Sequence, residues 1–312
     1  MKKTYLLSLL LTATFAMTSC GGDDEPTSTT QQPTPSTPTP TPATPTSTVE
    51  PLNPNIAAAP VAATTDAATK LYTFLRQQYG RKVVSSVMAD VNWNNRCADK
   101  VHALTGKYPA MNCYDFIHIL KLQEAGIAAT WRPFHEAAGN ATLKSGAAWG
   151  KAWFWWGADG AQTYRRLWTT MFDYFKQKGI SNLIWVWTTQ NFNGNSTDYA
   201  QDTDWYPGDG YVDIVARDLY GSTATQMAQE FTEIQAAYPA KMVALGECGH
   251  NNGTQPGLVS DAWARGAHWS HFMVWYQGGQ GSTDTMCSNN WWAAVMRDDN
   301  VITRDQLPAL MP

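Results

Sequence analysis

Two stretches place a carboxylate where an apolar run would otherwise continue into a core. WRPFHEAAGN, residues 131–140, closes the run AGIAATW and presents Glu136. ALGECGH, residues 244–250, presents Glu247 directly after KMVALG. Two carboxylates facing each other across a pocket are what cleavage of a glycosidic bond requires. One gives and then takes a proton at the bridging oxygen, and the other attacks the anomeric carbon. The acid must keep its proton near neutral pH, which needs desolvation or a nearby negative charge. Trp131 and Phe134 supply apolar surroundings beside Glu136. The attacking carboxylate must stay ionised and needs hydrogen-bond donors. Tyr220, one strand before Glu247, can offer its hydroxyl. His135 reads equally well as a buried histidine that orients its neighbours or as a direct ligand contact.

Aromatic residues surround these acids. The chain has 15 Trp, and AWFWWGADG (152–160) follows Glu136 with three of them. Most tryptophans in a folded chain are core, but an indole face also matches the C–H face of a pyranose ring. The aromatic stretch 152–160 and Trp275 are therefore candidate platforms for a sugar. No close pairing of metal ligands occurs, so no metal site is expected. Acidic residues outnumber basic ones, 26 against 22, and no basic stripe appears, which excludes nucleic acid as a partner.

Elements must bring the two glutamates together. β-rich runs recur at 82–89, 108–113, 127–132, 182–188, 211–216, 241–246 and 270–276, and helical patterns at 65–78, 161–178 and 223–238. Runs that are apolar without strict alternation suit strands covered on both faces, and alternation with helices gives an α/β fold with a parallel sheet. A doubly wound sheet and a (β/α)8 barrel both fit. No glycine-rich phosphate loop follows the first strand. Instead, polar or aromatic residues lie beyond the strand ends: Asp90, Asp115, Glu136, Gln190 with Asn191, Asp218 with Tyr220, Glu247, and Trp275 with Gln277. In a TIM-type barrel those ends converge on one face.

RPFHE (132–136), WFWWG (153–157), LIWVWTTQN (183–191), YPGDGYVDIVARDLY (206–220) and ALGECG (244–249) together resemble glycoside hydrolase family 26, over most of residues 81–296. The resemblance implies a barrel of eight βα units that cleaves mannan, glucomannan or galactomannan as an endo-β-1,4-mannanase with retention of configuration. Glu136 is implied as acid/base and Glu247 as nucleophile, with carboxyls ~5–5.5 Å apart. It further implies Tyr220 on the nucleophile, His135 beside the acid, Trp153 on the leaving-group side, Trp275 under the cleaved sugar, and no metal or organic cofactor. Substrates of the same mechanism, β-1,3-xylan or mixed-linkage glucan, are the alternative. Two departures stand out. Residues 137–152 lengthen the loop between HE and WFWWG. Only seven strands are readable, because the third βα unit is missing around residues 116–121. A barrel lacking one strand must close around seven or keep unpaired edges. A catalytically impaired, carbohydrate-binding lipoprotein is the reading that this gap favours.

The start of the chain is expected to be separate from the fold. Residues 1–20 read as an export signal, and Met17-Thr18-Ser19-Cys20 resembles a lipobox in which Cys20 is lipidated. Residues 21–55 combine an acidic GGDDE tag, resembling the export tag of Bacteroidetes lipoproteins, with a Pro/Thr/Ser-rich spacer. Residues 56–312 would then be a monomeric catalytic barrel on an outer-membrane or cell-surface lipid anchor, or on the periplasmic side of that membrane. Cys97, Cys113, Cys248 and Cys287 remain in it, and Cys97–Cys113 is a possible bridge.

Overall fold

The computed structural model describes residues 51–89, 94–114, 119–139, 152–190, 202–278 and 284–308. Cys20 and the rest of residues 1–50, on which the expected export signal and most of the expected spacer fall, lie outside them, as do Asp90, Asp115, Asn191 and residues 140–151.

Seven parallel strands form the wall: β1 (Val83–Met88), β2 (Met111–Cys113), β3 (Ala129–Trp131), β4 (Leu183–Thr189), β5 (Ile214–Tyr220), β6 (Met242–Gly249) and β7 (His271–Val274). Their order is β2-β1-β7-β6-β5-β4-β3, so the first strand pairs with the seventh as closure of a barrel demands. Among the described residues β2 and β3 do not pair with each other, and the wall has a seam between them. The fold is that of a (β/α)8 barrel, with seven wall strands among the described residues.

β1, β4 and β6 are buried along their whole length, as their unbroken apolar runs require. Trp168, Trp187, Trp269 and Trp292 are among the largest fully buried side chains, so the tryptophan excess is first of all a core property. Helices α1 (Asp66–Gln78), α2 (Arg96–Thr105), α3 (Ile119–Glu124), α4 (Gly160–Gln177), α5 (Ala224–Ala237), α6 (Val259–Trp263) and α7 (Asn289–Val295) connect the strands. The short α3 is the only helix between β2 and β3 among the described residues. α1 starts where Thr65 accepts from the Ala68 N–H, and α5 starts with a capping box of Thr223 and Gln226.

Three elements differ from the sequence-based expectation. The run 108–113 forms a strand only from Met111, because its earlier part bridges Thr303 through Pro109. The run 270–276 breaks at Trp275, after which β8 (Tyr276–Gln277) pairs antiparallel with β9 (Asp284–Thr285). A two-residue strand, β10 (Val301–Ile302), continues the sheet beside the start of β1 and is too short to show a period in sequence.

Below the strand N-termini, residues 56–65 cross the barrel floor. The Val61 N–H donates to Asp213 Oδ1 at 2.7 Å, and the Thr64 N–H to the Ser181 carbonyl at 2.9 Å. Tyr72 and Arg76 of α1 hold the same segment by donating to the Ala57 and Ile56 carbonyls.

Candidate active site

Arg132 follows β3 and reaches across the mouth of the barrel. Its Nη1 donates to Thr188 Oγ1 of β4 at 3.0 Å and to Asp218 Oδ2 of β5 at 3.0 Å. Its Nη2 donates to Glu247 Oε1 of β6. One guanidinium thus ties three strand ends together, as its planar fork of donors allows.

The position of Glu247 depends on a β-bulge. Arg217 pairs with Leu245, but Asp218 pairs with Glu247, so β6 carries one extra residue at Gly246. A bulge turns the strand and re-aims the side chains beyond it. A Cβ on Gly246 would lie 2.6 Å from Asp218 Oδ1, so only glycine leaves room for that carboxylate. Glu247 is buried, and its Oε2 accepts from the Tyr220 hydroxyl at 2.5 Å.

Glu136 reaches the same place from a turn. Its φ is 52° and that of Phe134 is 48°, a left-handed conformation that side chains other than glycine adopt at a cost. Neighbours hold the turn in place. Tyr164 Oη donates to the Phe134 carbonyl, Trp156 Nε1 to the His135 carbonyl, and the Gly139 N–H to the Glu136 carbonyl. Carboxylate oxygens of Glu136, Asp218 and Glu247 then lie within 4.8 Å of one another. A trio of acids could hold a cation, but here the Arg132 guanidinium is that positive charge.

Burial raises the Glu136 carboxyl above the usual range, and the charge of Glu247 adds to it, while Arg132 opposes both. Asp218 is raised for the same leading reason, burial, again opposed by Arg132. A hydrogen bond with Asp218 also works to lower the Glu136 carboxyl, against the rise from burial. His135 is pushed down to about 4 by burial and then by Arg132, and so is uncharged at neutral pH. It packs against the stacked pair Phe154 and Trp156, with ring centroids 4.7 and 5.5 Å away.

Trp153 is 56% exposed, and its backbone N–H donates to the Gly139 carbonyl. Its ring covers Gly139, where a Cβ would come 2.4 Å from it. Trp275 is half-buried beyond β7, and its N–H donates to the carbonyl of Cys248, next to Glu247. Glu136, Glu247 and Tyr220 are therefore brought to one cluster, with His135 and Trp275 on its borders. Trp153 stands on the exposed side of the Glu136 turn. Arg132 and Asp218 were legible as residues at strand ends but carried no assigned role. The bulge at Gly246 left no signal in the sequence. Cys97 and Cys113 are not bridged: Cys97 Sγ donates to the Asp284 carbonyl, and Cys113 faces Ser86 Oγ at 3.2 Å.

A parallel βα barrel with acids gathered at its C-terminal face defines a class of enzyme scaffold. The chain belongs to glycosyl hydrolase family 26, whose pattern matches residues 117–306. It is 31% identical over 199 residues to a mannan endo-1,4-beta-mannosidase of Thermothelomyces thermophilus, covering 61% of this chain. The chain spans about a third of that relative's length, 34%, and 21% of a second such enzyme, from Caldalkalibacillus mannanilyticus. Among solved structures it is similar to the GH26 domain of an endo-beta-mannanase/endo-beta-glucanase from Prevotella bryantii. Identity there is 44% and the TM-score 0.75, over 80% of this chain and 99% of that one. A beta-mannanase from a symbiotic protist of the termite Reticulitermes speratus, complexed with a gluco-manno-oligosaccharide, matches at 25% identity and TM-score 0.63, over 81% and 98% of the two chains.

Proposed function

We propose that this chain is a retaining endo-β-1,4-mannanase acting by double displacement through Glu136 and Glu247. The observation that carries the reading is the approach of those carboxylates to within 4.8 Å in opposite environments. Glu136 is half-buried with its carboxyl raised above the usual range, and Glu247 is paired with Arg132 and Tyr220. In the first step Glu247 attacks the anomeric carbon while Glu136 passes its proton to the departing oxygen. In the second, Glu136 takes a proton from water, which attacks the same carbon and releases Glu247. The short separation supports direct attack over an inverting mechanism, which needs room for a water between carboxyls ~6.5–9.5 Å apart. Trp275 and Trp153 stack sugar rings on either side of the cleaved bond.

The relatives' mannan-directed activities support β-mannan as substrate. β-1,3-xylan and mixed-linkage glucan are the alternatives within the same chemistry. The seam between β2 and β3 supports loss of a third βα unit around residues 116–121, and it favours a second reading, a carbohydrate-binding protein with impaired turnover. Cys20 and the spacer support a lipid-anchored protein at the outer membrane or cell surface. Reducing-sugar release from mannan, xylan and β-glucan, compared between wild type and Glu247→Ala, separates these readings. Turnover of mannan that is lost in the variant is expected. Turnover of xylan alone removes the substrate assignment, and binding without turnover removes the enzyme.

A further inference from the structure

The residue after Glu247 is a cysteine, and a second cysteine lies against it. Cys248 and Cys287 are both buried and carry free thiols in this structure, and the nearby Cys248 adds to the rise that burial gives the Cys287 thiol. The backbones around them are fastened independently. The Trp275 N–H donates to the Cys248 carbonyl at 3.0 Å, the Met286 N–H to the Trp275 carbonyl at 2.8 Å, and the His250 N–H to the Met286 carbonyl at 3.0 Å. A Cβ on Gly249 would come 2.5 Å from Met286 Cβ, so the two chain segments already touch.

We propose that Cys248 and Cys287 form a disulfide that ties the end of β6, next to Glu247, to the segment leading into α7. The oxidant is a small-molecule or protein disulfide met during folding. One cysteine loses its proton and displaces half of that disulfide, giving a mixed disulfide. The other then displaces the second half. The S–S bond forms, two thiols of the oxidant leave, and the two protons pass to them or to solvent. The exchange belongs to folding, because burial in apolar surroundings leaves thiols inert afterwards. It also belongs to an oxidising compartment, in keeping with the export signal read in residues 1–20. The bond would fix the wall segment whose Met286 N–H holds the Trp275 carbonyl, and so the spacing between Trp275 and Glu247.

The test uses the full chain folded in a mixture of reduced and oxidised glutathione. Free thiols are alkylated in denaturant, and the protein is digested without reduction. The expected result is a linked pair of peptides carrying residues 248 and 287, with Cys97 and Cys113 alkylated. Recovery of residues 248 and 287 both alkylated overturns the proposal. Melting gives a second readout that core packing alone would not move. Reductant is expected to lower the wild-type midpoint by on the order of 10 °C, since the bond closes a loop of roughly 40 residues. The double variant C248S/C287S is expected to melt at the reduced value and to ignore reductant. A wild-type midpoint unchanged by reduction also overturns the proposal.

Discussion

Arg132 sets the charge of the pocket. It places one cation among three buried or half-buried acids and contacts two of them directly. Breaking a buried ion pair from one side leaves the other uncompensated. Arg132→Met is therefore expected to cost about 3–5 kcal/mol at neutral pH, and the deficit should shrink in acid as the orphaned carboxyls take up protons. Urea unfolding at pH 7 and pH 5 measures both. In the proposed mechanism Glu136 acts as an acid only while protonated. Its raised carboxyl, caused first by burial and then by Glu247, supplies activity below its folded pKa, and that activity is lost as pH rises through it. Glu136→Gln should lower turnover of natural mannan by about 10²–10⁴-fold and abolish the basic limb of the rate profile. A basic limb that survives the substitution assigns the proton elsewhere. Tyr220→Phe removes one charged hydrogen bond from Glu247 and should lower kcat by about 10- to 100-fold with little change in melting temperature.

At the scale of elements, two glycines make room for the chemistry. Gly246→Ala would press a methyl group onto Asp218 and reshape the bulge that aims Glu247. Overpacking of this kind costs about 1–3 kcal/mol, and kcat should fall while binding of mannan-oligosaccharides changes less. Gly139→Ala would displace the Trp153 ring and should instead raise KM for longer oligosaccharides. Both outcomes are read from steady-state kinetics on a series of chain lengths. These elements also divide what the sequence could reveal from what it could not. The fully buried wall strands were legible because burial on both faces writes largely apolar runs such as LIWVWTT. The two glutamates were legible because an acid at the end of such a run contradicts its surroundings. β10 and the bulge were not, since a two-residue strand has no period and an extra residue changes register without changing composition. The hub role of Arg132 was hidden for a related reason. Its partners come from three other strands, and nothing local to RPFHE encodes their approach.

At the scale of the whole molecule, the seam between β2 and β3 is the main departure from a closed barrel. Insertion of a complete βα unit after residue 114 should raise both the melting temperature and mannan turnover. A fall in either would mean that the seven-strand wall is already the adapted form. The opposite end of the barrel carries a pH-dependent contact. Asp213 is buried, accepts from the Val61 and Trp185 N–H groups, and is pushed up to about 6, chiefly by burial. It therefore binds its proton more tightly folded than unfolded. Its contribution to stability is full below about pH 4 and declines as pH rises toward 6. Asp213→Asn should flatten that part of the stability profile, measured as the urea midpoint between pH 4 and pH 7.

That contact also decides where the chain can be cut. Residues 56–65 plug the underside of the barrel like a cork, with Val61 and Thr64 pinned beneath β4 and β5. A shortened chain that begins at the first helix, with the Glu136–Glu247 cluster intact, would uncork the floor and let water reach the lowest layer of the core.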